Sequence, residues 1–145
     1  MNQAVMVQCE GTLHPLSLLD KLAKDFIQED YILTNHEKNL HVLCSRMDRL
    51  SQSKTGRRKP VYTLYSGGDC SFIISLKETS PLMTEFADSP PEERDQKILV
   101  KFILQPLLEL DTEKQPHRLI YTKDLSAAIE AVDAGEYPYL FLFNF

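Results

Sequence analysis

The run Tyr139-Leu-Phe-Leu-Phe143 constrains this chain more than any other stretch. Its large apolar residues show no polar alternation, so a strand built from it must be covered on both faces. The rest of the chain has to supply those covering layers. The residues just upstream offer one of them. Arg118 to Tyr121 is a short β-prone run. Thr122 and Asp124 carry side-chain oxygens able to receive the free amides of a helix start. Leu125, Ala128, Ile129 and Val132 then recur at i, i+3, i+4 and i+7, one apolar stripe on a helix. Gly135 supplies a left-handed stop. A strand, a helix and a strand in so short a span predict a βαβ crossover with parallel, adjacent strands.

A chain of 145 residues can bury one sizeable core and fits one domain. No apolar run approaches the ~20 residues that span a bilayer. The start of the chain has no basic segment leading into an apolar one, so no secretory signal is expected. Cys9, Cys44 and Cys70 are odd in number and widely spaced, as free thiols of a reducing compartment would be. A cytoplasmic location is the expectation. The formal charge of −5 argues against a general nucleic-acid or anionic-membrane partner, while leaving room for a local basic patch.

Upstream, Ala4 to Cys9 reads as a first strand. Pro15 suits a helix start, and Leu19, Leu22, Ala23 and Phe26 continue at helical spacing. Gln28 to Leu33 reads as a linker holding a short strand. Thr34-Asn35-His36-Glu37 has the form of a capping box, opening a helix with Leu40, Leu43, Cys44, Met47 and Leu50 on one face. Ser51 to Pro60 is polar, basic and loop-like. Val61 to Tyr65 and Cys70 to Leu76 are β-rich runs around Ser66-Gly67-Gly68-Asp69, where adjacent glycines provide the positive φ of a tight hairpin. A single helical turn is expected around Leu82 to Phe86. Pro91 opens what should be the longest helix, with Ile98, Leu99, Phe102, Ile103 and Leu107 buried. Pro106 should kink or divide it. The order of elements predicts an α+β (or α/β) domain: a mixed β-sheet with helices packed on it, containing a hairpin and a C-terminal βαβ unit.

Four segments in this order form a recognisable series: Leu18-Leu-Asp-Lys-Leu-Ala-Lys-Asp-Phe26, the hairpin ending Phe72-Ile-Ile-Ser-Leu-Lys77, Ile103-Leu-Gln-Pro-Leu-Leu-Glu-Leu110, and Leu119-Ile-Tyr-Thr-Lys-Asp124 through Asp133-Ala-Gly-Glu136 to Phe141. The series resembles the C-terminal part of domain-of-unknown-function family 1015, over about Leu16 to Phe143. Members of that family are considerably longer, and an Asp-Gly-His-His-Arg motif in their N-terminal half links them to the ParB and serine-kinase group. That motif has no counterpart here, since His117-Arg118 lacks the preceding Asp-Gly. The resemblance therefore implies a C-terminal half without chemistry of its own. Its alternative implication is a fragment of a ParB-like phosphotransferase acting on a small amino acid such as serine.

Candidate binding residues fall into two groups. Arg57, Arg58 and Lys59, with Lys54, make the sharpest basic cluster, read first as a solvated loop and second as a contact for a small anionic ligand or nucleic acid. His117, Arg118 and Lys123 surround the strand that leads into the last helix, and its carboxyl end is where open sheets favour ligands. His41 and Cys44 lie three apart on a helix, but two ligands do not make a metal site. Cys70 follows Asp69, whose charge opposes thiolate formation. Ser66-Gly67-Gly68 is followed by no phosphate-binding signature. No metal, cofactor or catalytic group is expected. The expected role is a non-catalytic binding, regulatory or assembly domain, with another copy or a partner protein at an exposed sheet edge or on the face that the segments lacking relative to family 1015 would cover.

Overall fold

The computed structural model describes residues 2–8, 15–32, 36–52, 58–68, 70–84, 88–105 and 119–144. Six strands form one sheet: β1 (Asn2–Val7), β2 (Phe26–Ile32), β3 (Val61–Tyr65), β4 (Cys70–Leu76), β5 (Leu119–Thr122) and β6 (Tyr139–Asn144). The α-helices among the described residues are α1 (Pro15–Leu22), α2 (His36–Ser51), α3 (Pro91–Ile98) and α4 (Leu125–Asp133). The strand order is β2-β4-β3-β6-β1-β5.

The all-apolar run at the end of the chain is a central strand, β6, held between β3 and β1. Its alternate residues enter two different cores. Tyr139, Phe141 and Phe143 join Tyr62, Leu64, Ile74 and Leu76 under α1 and α3. Leu140 and Leu142 join Ala4, Val61 and Ile73 under α2 and α4. The same period of two divides β3, because successive side chains on a strand point to opposite faces. Thr63, the one polar residue of that buried strand, donates to the Met47 sulfur at 3.1 Å. Two helical layers on one sheet make an α+β sandwich.

Among the described residues every strand pairing is antiparallel. This corrects the expected mixed sheet with an adjacent parallel pair. β5 and β6 do run in the same direction, but β1 lies between them and pairs with both. The reason is burial: β1 contributes Val5 and Val7 to one core and Ala4 to the other, so it too needs covering on both faces. The slot between β5 and β6 provides that.

Other local expectations divide in the same way. Gly67 and Gly68 adopt φ of +104° and +79° in the β3–β4 turn, so the hairpin forms as read. Asp124 caps α4 by accepting the Ala127 amide at 3.1 Å, and Gly135 follows the helix with φ of +81°. A 3-10 turn occupies Pro81–Thr84 and buries Met83. The first helix, by contrast, ends at Leu22, and Phe26 opens β2 rather than continuing the helical stripe. Both placements deliver Phe26 to the same core, where its ring packs against Tyr62 at 6.4 Å between centroids. Among the described residues α2 is the longest α-helix, with 16 residues, while the helix opened by Pro91 continues through its π-helical segment to Gln105, where the described residues stop. After α3 the chain widens into a π-helical segment over Leu99–Leu104, in which the Gln105 amide reaches back to the Val100 carbonyl. That widening begins where the Tyr62 hydroxyl joins the Leu99 amide on the Asp95 carbonyl. Cys9, Thr34, Phe86, Pro106 and Leu107 lie outside the described residues.

Candidate functional site

The described members of the two groups of basic residues are not brought together. Arg57, His117 and Arg118 lie outside the described residues. Arg58 and Lys59 precede β3, and Lys123 follows β5, at the same end of the sheet. β6 and β1 separate them, three strand spacings or roughly 14 Å. Lys123 is exposed. The helix start beside it is served from within the chain: Thr122 Oγ1 accepts the Asp124 amide at 3.1 Å and Asp124 accepts that of Ala127.

Arg58 is not solvated in the way a polar loop suggests. Its carbonyl accepts a 2.6 Å hydrogen bond from Arg94, and its guanidinium lies 4.0 Å from the Asp95 carboxylate. Arg94 itself donates through Nε and Nη2 to Asp95 Oδ1 at 3.2 and 3.1 Å. The Asp95 side chain is 1% exposed and that of Arg94 9%. Beneath them the Tyr62 hydroxyl donates to the Asp95 carbonyl at 2.5 Å. Burial, then the Asp95 charge, pushes the Tyr62 phenol well above its ordinary range, so it is a permanent donor. Burial pushes the half-buried Tyr121 phenol of β5 above its ordinary value, partly offset by the Gln96 side chain of α3. The helix is therefore pinned to β3 and to the residues that precede it. The charges at this end hold α3 in place, and sequence reading missed them because Glu92-Glu93-Arg94-Asp95 looks like a solvated helix face.

His41 is exposed and Cys44 half-buried, and burial holds the Cys44 thiol above its usual pKa, in the unreactive protonated form. No cluster of three potential metal ligands occurs among the described residues. The glycine turn closes on itself: the buried Tyr65 ring reaches both the Gly68 carbonyl, at 2.7 Å, and the Asp133 carboxylate at the end of α4.

The feature with an open surface is β2, where the sequence suggests a linker holding a short strand. Among the described residues it lies at the sheet edge and pairs with β4 alone, over all seven of its residues. The Lys77 amide donates to the Asp25 carbonyl at 2.8 Å. Because antiparallel ladders alternate, Ile27, Glu29 and Tyr31 then bond toward β4. Phe26, Gln28, Asp30 and Ile32 direct their amides and carbonyls to the open side. Ile27 and Ile32 are 53% and 59% exposed. The strand is well anchored: Ser71 Oγ donates to the Tyr31 carbonyl at 3.0 Å, and the Gln28 side chain donates to the Leu19 carbonyl. On the opposite face Glu29 accepts from Arg46 of α2 through both oxygens, at 2.8 and 3.0 Å.

That ion pair lowers the Glu29 pKa, chiefly through the Arg46 hydrogen bond. A carboxylate with a lowered folded-state pKa adds stability above its unfolded pKa, and that stability is lost as pH falls through the folded value. Glu29→Gln should therefore destabilise at neutral pH, and the difference should shrink in acid as pH falls through the lowered folded value. Both side chains are 40% exposed, so screening limits the difference to at most about 1 kcal/mol. Urea unfolding at pH 7 and pH 3 checks it; an equal loss at both would assign the effect to packing.

Comparison with family models, curated proteins and solved structures finds no match. No helix among the described residues is long and apolar enough to cross a membrane.

Proposed function

We propose that this chain is a non-catalytic binding or assembly domain that adds an extended segment of another protein to its sheet at β2. The observation that carries this reading is a full-length, well-anchored edge strand with exposed isoleucines and an open row of backbone groups. Edge strands of this length are normally shortened, bulged or covered, because they template further pairing. Where one is kept straight and firmly attached, strand addition supplies affinity through main-chain bonds and specificity through alternate side chains. The same reading is what a resemblance of the motif order to the C-terminal part of family 1015 would imply, since the Asp-Gly-His-His-Arg motif of that family has no counterpart in this sequence.

Peptides selected on the full chain from a random twelve-residue library test the reading. The expected binders slow hydrogen exchange of the Gln28 and Asp30 amides and lose binding to Asp30→Pro. Proline there removes a donor from the open side only, which an edge strand tolerates, so the melting temperature of the variant should stay close to the parent's. Binders that protect only the Arg58–Lys123 end, or that ignore Asp30→Pro, would overturn it.

A further inference from the structure

We infer that the segment received by β2 is a basic-apolar alternating strand of a different protein, rather than a second copy of this chain; this rests on the strand-addition reading above. The charge on β2 carries the inference. Its seven residues include two carboxylates, Glu29 and Asp30, and no cation. Glu29 is answered by Arg46 on the α2 face. Asp30 is exposed on the other face, with no hydrogen bond or ion pair to the described residues. Its neighbours there are Gln28 and Ile32 along the strand and Phe72 across the ladder.

Self-pairing meets those carboxylates head on. A twofold antiparallel pair must join the residues whose backbone faces outward, Phe26, Gln28, Asp30 and Ile32. The register using the whole strand pairs Phe26 with Ile32 and sets Glu29 directly against Glu29 of the other copy. Sliding one way sets Asp30 against Asp30. Sliding the other way sets Glu29 against Ile27 and Asp30 against Phe26. Like charges directly opposite destabilise a strand pair, and inward-facing charge is a common device against edge-to-edge association. Each self-register thus carries a mismatch that a different strand avoids.

The complementary strand follows from the same positions. Opposite Asp30 it places a lysine or arginine, whose aliphatic stem lies along exposed Ile32 while its charge meets the carboxylate. On the other face it places apolar residues beside Ile27 and Tyr31, flanking the Glu29–Arg46 pair. Alternation of the two kinds is required because the faces of a strand alternate.

The same twelve-residue library distinguishes this inference from the reading beneath it. Enriched peptides should carry lysine or arginine at alternate positions with apolar residues between. Their affinity should fall about tenfold on Asp30→Lys, as one attraction is replaced by one repulsion, and should persist on Asp30→Glu. It should also weaken as salt is raised. Peptides that are neutral or acidic, yet abolished by Asp30→Pro and indifferent to Asp30→Lys, would leave strand addition standing and overturn the basic partner. A concentration-dependent dimer in sedimentation, lost on Asp30→Pro, would identify a second copy as the occupant and overturn the inference. Absence of any binder sensitive to Asp30→Pro would overturn both.

Discussion

Ile129→Asp should abolish the folded state. Ile129 is fully buried on α4, in the layer that covers Leu140, Leu142 and Ala4. Its neighbours in that core are apolar, so a carboxylate placed there is left unpaired or must be protonated, at a cost of several kcal/mol. The whole stability of a domain this size is about 5–15 kcal/mol. Ile129→Ala provides the graded control, because it leaves a cavity without a charge and should cost about 2–5 kcal/mol. Circular dichroism on heating checks both. The alanine variant should melt cooperatively at lower temperature, and the aspartate variant should show no cooperative transition. A cooperative melt of Ile129→Asp near that of the parent would remove α4 from the core.

Asp95→Ala should cost about 3–5 kcal/mol, the loss expected when one member of a buried ion pair is removed and the other is stranded. Arg94 would retain the Arg58 carbonyl but lose both bonds to Oδ1, while still 7% exposed. Arg58→Ala should cost less, since its guanidinium stands farther from the carboxylate and is 26% exposed. It should still exceed the roughly 0.5 kcal/mol of a solvated loop position. Replacing Arg94 with Met and Asp95 with Leu together should recover much of the loss, because a buried pair exchanged for apolar groups costs far less than a pair broken. Urea unfolding of the three variants measures all of this. If Asp95→Ala loses less than about 1 kcal/mol, α3 is held by its apolar face alone.

The local elements were legible wherever one residue type answers a local backbone need. The adjacent glycines of the β3–β4 turn, the Asp124 cap and the Gly135 stop depend on chemistry within a few residues of each position, and all three stand as read. Phe26 was misread because apolar spacing does not say which element delivers a side chain to a core. Helical continuation from Leu22 and a new strand both bury it. The full length of β2 was not legible, only a short strand within a linker, because Gln28, Glu29 and Asp30 interrupt its apolar residues. That interruption is itself the mark of an edge strand, whose faces and outer side meet water. Its partner β4 lies some forty residues on, so nothing local revealed the pairing.

By itself, the sequence determined that the last strand needed covering on both faces, that a capped helix preceded it, and that a glycine-turned hairpin stood upstream. Those follow from side-chain period and backbone permissiveness, which act over one turn or one pleat. Only the tertiary structure decided that β1 enters between β5 and β6, that Arg58 meets Arg94 and Asp95, and that β2 is left at the edge. Each of these joins residues far apart in the chain. They are settled by which arrangement buries the most two-faced strand while pairing its charges, and no local pattern encodes that competition.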